Sequence, residues 1–335
     1  MTAIVVTSLA FAISFACAAI MGFAIQRGAT CTVAAVDEVL SKRSARRLVS
    51  LVEASLWVAG GLVVANALGI LPRMPGGFAL NGWTIGGGVL LGLGAFINRA
   101  CVFGAIARLG SGEWAYALTP VGFYLGCLTV DALFAPAPPL RLAHGSPVLQ
   151  APSWLAFAFV TFAAWRLLRP LVTRGGAATL AGRLAAALRE RIWTPHAATT
   201  VIGITFVVML LLVGAWAYTD LLAEAARGMA ASLAGRTLLF AALLGGAAWG
   251  GWTAGRWRAT PVTLAQALRC LVGGALMGWG TLLIPGSNDG LILIGMPLLW
   301  PYAWLAFATM CIAIGAAQLG GRFLTFRSRR AGAAS

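Results

Sequence analysis

The chain is poor in the groups that carry most soluble chemistry. Its 335 residues include only two histidines and nine acidic residues, and just 10% are charged. The six cysteines, Cys17, Cys31, Cys101, Cys127, Cys270 and Cys311, form no CxxC pair and show no ligand spacing. Neither a zinc site nor a disulfide framework is signalled. His144 falls in a loop and His196 at the mouth of an apolar run, so each reads as an interfacial polar residue. No Ser-His-Asp set, HExxH, P-loop or dinucleotide fingerprint is present. ATP hydrolysis and redox chemistry have nothing to stand on, so the chain does not read as an enzyme and no cofactor or metal is expected.

What the chain has in abundance is apolar sequence: 60% of residues are hydrophobic. That composition belongs to an all-α polytopic membrane protein. Crossing about 30 Å of hydrocarbon takes roughly 17–25 residues. Runs of that kind fall near 3–26, 48–70, 84–107, 114–134, 152–169, 197–219, 236–255, 266–284 and 299–320, predicting nine crossings. The first has no basic leader and no small-residue cleavage site, so it reads as a retained span.

The formal charge of +15 is not a nucleic-acid footprint, which needs a basic soluble face. The arginines lie between apolar spans, where the positive-inside rule uses them. With the N-terminus outside, the inward segments hold Lys42, Arg43, Arg46, Arg47, Arg108, the run Arg166 to Arg191, Arg256, Arg258, Arg269 and the tail Arg322 to Arg330. The outward ones hold only Arg73, Arg141, Arg227 and Arg236. The expected location is a bacterial inner membrane, N-terminus outside and C-terminus cytoplasmic. Arg27 and Arg99 belong to neither set.

Shifting the second half back by 186 positions lays Gly273-Gly-Ala-Leu-Met-Gly-Trp-Gly280 onto Gly87-Gly-Val-Leu-Leu-Gly-Leu-Gly94. The register continues through Gly104/Gly290, Ile106/Ile292, Trp114/Trp300, Tyr116/Tyr302 and Ala117/Ala303, ten identities in residues 87–117. Chance in so apolar a chain gives roughly three. Counting crossings makes the copies inverted, the construction plan of many transporters. The expected organisation is one membrane domain: a first repeat over 1–134, a fifth span and basic connector over 135–196, a second repeat over 197–322 and a basic cytoplasmic tail over 323–335.

Three polar interruptions stand inside the apolar runs: Gln26 to Cys31, Asn98 to Gly104, and Pro285 to Gly290. The roughly ten residues between Cys31 and Leu40 are too short to cross, so a re-entrant segment is expected there. Non-helical backbone at membrane depth survives only against protein or a water-filled cavity, so all three breaks should face one site. Arg27 and Arg99 lie just before Cys31 and Cys101, where helix starts add partial positive charge beside each thiol. An anion suits such a place. The bland readings are that the arginines snorkel or pair with Asp37, Glu38 or Glu113, that Asp289 caps a helix over 290–298, and that Asp220 and Glu224 form a solvated rim. Cys17, Cys127, Cys270 and Cys311 lie in unbroken spans and read as packing. Glu53 is the lone candidate proton relay within a span.

Gly22-Phe-Ala-Ile-Gln-Arg-Gly-Ala-Thr-Cys31, Asn98-Arg-Ala-Cys101-Val-Phe-Gly104 with Arg108-Leu-Gly-Ser-Gly112, and Gly273 to Gly280 together resemble the YeeE/YedE sulfur-transport family. The resemblance covers roughly residues 10–130 and 200–320. It implies re-entrant helices on both sides and thiosulfate uptake along a path where successive cysteines pass the ion by S–H contacts, with Cys31 and Cys101 matching two of them. The place of a third is held by Ser287. The substrate pathway read from the residues and the resemblance is Cys31, Cys101, Ser287, Arg99, Asn98, Asn288 and Arg27, carrying thiosulfate or a related sulfur oxyanion.

The alternative is a membrane-bound sulfur acceptor, passing persulfide sulfur from a cysteine to a soluble carrier. Leu180, Leu184, Leu188 and Ile192 recur every four residues beside the basic run, predicting an amphipathic helix on anionic lipid. The resemblance adds a small TusA-like sulfur carrier protein as a further docking partner.

Overall fold

The computed structural model describes residues 2–173, 182, 189–228 and 233–332. Among these there is no β-strand, only the isolated bridges Phe78 to Arg141 and Glu113 to Thr260. The first half runs α1 (Thr2–Gly28), α2 (Thr32–Lys42), α3 (Arg46–Ala67), α4 (Gly82–Asn98), α5 (Val102–Leu109), α6 (Leu118–Phe134) and α7 (Trp154–Thr173). The second runs α8 (Pro195–Val213), α9 (Tyr218–Ala226), α10 (Leu233–Thr253), α11 (Leu264–Leu283), α12 (Asn288–Gly290, continuing into a π turn Leu291–Gly295) and α13 (Pro301–Gly332). The proposed amphipathic helix of the basic connector lies largely outside the described residues.

Local chemistry sets the starts. Asn81 and Thr84 cap α4 reciprocally, and Thr263 and Gln266 do the same for α11, each box satisfying two N–H groups that the first turn leaves free. Thr194 caps α8 and Pro195 occupies its first position, where a missing N–H costs nothing.

Among the described residues, six segments are long and apolar enough to cross a membrane: Ser8–Lys42, Arg46–Ala67, Gly82–Leu109, Trp114–Phe134, Pro195–Val213 and Pro301–Phe323. Leu264–Leu283 and Asn288–Gly295, bent by 50° at their break, make a seventh if they count as one span. Seven of the nine expected runs fall on these segments; the runs near 152–169 and 236–255 fall on α7 and α10, 20 and 21 residues long, which are not among them. The last helix runs to Gly332, past the expected end of its span at 320.

The glycine pattern seen in the sequence is the crossing of α4 and α11. A Cβ on Gly94 would lie 2.7 Å from the Gly273 carbonyl, and one on Gly273 would lie 2.7 Å from the Gly94 carbonyl. Gly87 and Gly280 repeat the relation one turn pair along, at 2.8 and 2.6 Å. Only a glycine lets two backbones approach so closely, which is how apolar helices gain packing where no hydrophobic driving force separates lipid from leucine. Around this crossing, α6 packs on α11 and α13 on α4, while α1 packs on α10 and α8, and α8 also on α3. The Trp193 N–H donates to the Arg27 carbonyl at 3.1 Å, so α8 starts beside the end of α1 and the two run antiparallel.

Candidate functional site

Four short helical segments begin inside the bundle. Cys31 precedes α2, Cys101 precedes α5, Ala217 precedes α9 and Ser287 precedes α12, and all four residues have extended backbone. An extended residue at this position turns the chain so that the following N–H groups point outward unpaired. Three of these starts coincide with the polar interruptions read from the sequence. The fourth, after Gly214 with φ +87°, falls inside the run 197–219 that reads as one span, at its outer end, where the repeat places the mate of the Cys31 loop. Its one signal is that Cys31 and Ala217 stand 186 positions apart, the interval of the repeat.

The four starts touch one another. The Thr32 N–H, first in α2, donates to the Cys101 sulfur at 3.1 Å, and the thiols of Cys31 and Cys101 are within hydrogen-bonding reach. The Thr32 hydroxyl donates to Asn288 Oδ1 at 3.4 Å, and the Tyr218 hydroxyl donates to the Val102 carbonyl at 3.2 Å. Thr219 Oγ1 lies 2.5 Å from both Ser287 Oγ and Asp289 Oδ1, and Ser287 Oγ is 2.5 Å from Asp289 Oδ1. Cys101, Ser287, Asn288, Thr32 and Thr219 are all fully buried, and Asp289 is 2% exposed. One donor in this cluster has no partner: the side-chain N–H₂ of Asn288. An unpaired buried amide costs about 1–3 kcal/mol, so its retention points to a ligand oxygen.

One cavity opens onto Cys31 at the end of α4, and another lies among the loops that precede α4 and α9. The first, of about 440 Å³, is lined by Cys31, Gly104, Arg99, Arg108 and Arg47, with Asp37 and Gln318 at its side. Cys31 faces it, and Cys101 lies directly behind. Gly104 makes room for Cys31: a Cβ there would come within 2.6 Å of the Cys31 sulfur. The other cavity, of about 760 Å³, lies at the start of α4 and is lined by Arg73, Arg141 and Arg236 with Val213, Gly214 and Ala215, the residues that lead into α9. Arginines line both of these vestibules, three in each.

The structure gathers six of the seven residues read as the pathway. Arg99 closes α4 in the left-handed conformation and is exposed to the cavity of Cys31, without the acidic partner considered for it. Asn98 holds the break itself: its Nδ2 donates to the Ala100 carbonyl at 2.8 Å and its Oδ1 accepts from Thr119 at 3.0 Å. Asn98 therefore keeps non-helical backbone satisfied. Arg27 is placed elsewhere. It is 1% exposed, donates to the Glu190 carbonyl and at 2.8 Å to Thr253, and lies over the Phe23 ring. It pins the end of α1 to distant chain and lines neither cavity, because α1 continues helically through Gly28 and turns the side chain away from Cys31.

Two further readings change. Ser287, not Asp289, caps α12, accepting the Gly290 N–H at 3.2 Å, while Asp289 sits inside the turn. Asp220 is half-buried on the first turn of α9 rather than part of a solvated rim, and Glu224 pairs with Arg236. Glu53 is engaged by His196, Arg166 and Trp57 away from the cluster. The cluster also recruits Thr32, Tyr218 and Thr219, which no motif marked. Among the described residues, no group of three or more His, Cys, Asp or Glu could hold a metal ion.

Comparison with curated proteins gives no match. A family model described as sulphur transport matches residues 27–316, which contain all four helix breaks and both glycine runs of the central crossing. The chain belongs to the sulphur transport (YeeE/YedE) family of membrane proteins.

Proposed function

We propose that the protein takes up a small sulfur-containing anion, thiosulfate or a related sulfur oxyanion, across the bacterial inner membrane through the buried cluster. The observation that carries this reading is the convergence of four helix starts on two thiols and an unpartnered amide. Each helix start contributes partial positive charge, up to about half an elementary charge. Cys31 and Cys101 offer polarizable sulfur and weak S–H donors to a sulfur-bearing anion, and Asn288 offers a hard donor to its oxygens. The arginines of each vestibule raise the local anion concentration before entry.

The reading includes nine crossings and two inverted repeats, with the N-terminus outside. Supporting this, the packing pairs exchange under the 186-residue register: α1 on α10 mirrors α8 on α3, α6 on α11 mirrors α13 on α4, and α9 on α6 mirrors α2 on α13. Two hydrogen bonds across the halves are also mates, since Thr32 to Asn288 becomes Tyr218 to Val102. A site on such an axis is reachable from either side by rocking one half against the other. Ser287, standing where the family places a cysteine, gives a harder hydroxyl donor and shifts preference toward oxyanions rich in exposed oxygen.

The test is growth of a bacterial strain lacking its own sulfate and thiosulfate permeases on a panel of sulfur anions, with native protein and Ser287→Cys compared. Support of growth on at least one sulfur oxyanion by the native protein is expected. If neither form supports growth on any, despite insertion in the membrane, the sulfur reading fails.

A further inference from the structure

A carboxylate inside the buried cluster proposed to pass an anion needs an explanation. Asp289 is 2% exposed and lies in the same turn as the unpartnered amide of Asn288, so a bound anion and the carboxylate are neighbours. The groups facing Asp289 are Thr219, Tyr218 and Asp220 from α9 and Ser287 on its own turn, with Tyr302 of α13 beyond Asp220. None is a cation. The nearby acid Glu224 is already paired with Arg236. Glu53, the acid that the sequence singled out, is held by His196 and Arg166 and does not face the path.

Resting on the transport reading, we infer that Asp289 is the proton site of an anion–proton symporter: it takes up a proton as the anion enters and releases it on the far side. The step is a proton transfer only. The carboxylate Oδ gains H⁺ from the entry vestibule, and the neutral carboxyl then donates to or stands beside the anion. When the anion has left, the proton follows toward the vestibule of Cys31, Arg99 and Arg108, and the carboxylate is restored.

Two features of the site favour a proton over a metal cation. The oxygens of Thr219, Ser287 and Asp289 hydrogen-bond to one another, so they answer each other rather than open onto the cage of oxygens a cation takes. The hydroxyls also keep either protonation state of the carboxyl satisfied, since each can donate or accept. Like charges at one site cannot both persist at low dielectric, so an empty site holds the carboxylate and an occupied one the acid.

The experiment uses the full chain in proteoliposomes with a pH dye inside, radiolabelled thiosulfate and sulfite as probes, and the membrane potential clamped at zero. Addition of the carried anion should acidify the lumen. One pH unit, acid outside, should drive about tenfold accumulation for one proton per anion. Asp289→Asn should still exchange labelled anion between compartments while accumulating none under the same gradient. The inference is overturned if the native protein carries anion without moving protons, if a sodium gradient substitutes for the proton gradient, or if Asp289→Asn accumulates anion as the native protein does. These native-protein readings hold even if the variant fails to fold. Absence of flux of any sulfur anion overturns the transport reading itself and this inference with it.

Discussion

Replacing Asn288 by the near-isosteric leucine separates function from stability, because the two should move in opposite directions. Its Nδ2 is buried without a partner in the protein, and its Oδ1 accepts only a long 3.4 Å contact from Thr32. Leucine removes an unpaired donor worth about 1–3 kcal/mol of desolvation and gives up one weak acceptor. Stability in the absence of substrate should therefore stay level or rise. With an anion bound, the same change deletes a charge-assisted hydrogen bond of about 1.5–3 kcal/mol. At 1.36 kcal/mol per tenfold, kcat/KM for uptake should fall about 10- to 150-fold. The assay pairs thermal unfolding of purified protein, with and without thiosulfate or sulfite, with uptake in proteoliposomes. Anion-dependent stabilisation should shrink with the uptake. Asn288→Leu that unfolds earlier without ligand and transports at the native rate would refute the assignment of this amide to substrate.

Cys101→Ala should lower stability by about 1–3 kcal/mol, since the Thr32 N–H loses its acceptor in a buried place. Cys101→Ser should restore stability without restoring the native preference among sulfur anions, which melting curves and competition uptake read separately. Gly94→Ala puts a Cβ 2.7 Å from the Gly273 carbonyl and should cost about 1–3 kcal/mol, whereas Gly82→Ala meets nothing within 4 Å and should be neutral or mildly stabilising, as unfolding in detergent would show. Arg99→Gln should raise KM about 1.5- to 5-fold at low salt, the range of an exposed charge interaction, and the difference should fade at 1 M salt, where the screening length is about 3 Å.

The helix breaks that the sequence disclosed were those spelled in polar residues. Asn98-Arg99 and Ser287-Asn288-Asp289 interrupt apolar runs, and lipid tolerates such residues only where protein or water answers them. The break before Ala217 is written in Gly214-Ala-Trp-Ala217, residues that a helix in lipid accepts, so composition could not reveal it. The cap of α12 was misassigned because serine and aspartate serve equally as caps, and only the extended backbone at Ser287 decides between them. Arg27 was drawn to the site by its spacing to Cys31. Its true partners, Glu190 and Thr253, lie 163 and 226 residues away, a distance that no local pattern spans. Thr32 and Thr219 became visible only when their helix starts met across the halves, since an isolated threonine carries no chemical signature. The glycine runs were legible as a repeat, and their packing meaning needed the crossing of α4 and α11 to be seen.

The central claim is that a sulfur oxyanion passes through the cluster of Cys31, Cys101, Asn288 and Ser287. Its most direct test is flux of labelled thiosulfate and sulfite into proteoliposomes holding the purified chain, native against the pair Cys31→Ala and Asn288→Leu. The account predicts saturable uptake of at least one of these anions by the native protein and its loss in both variants, with no label bound covalently to cysteine. Uptake equal in native and variant vesicles would contradict it, as would label trapped on Cys31 or Cys101 without flux.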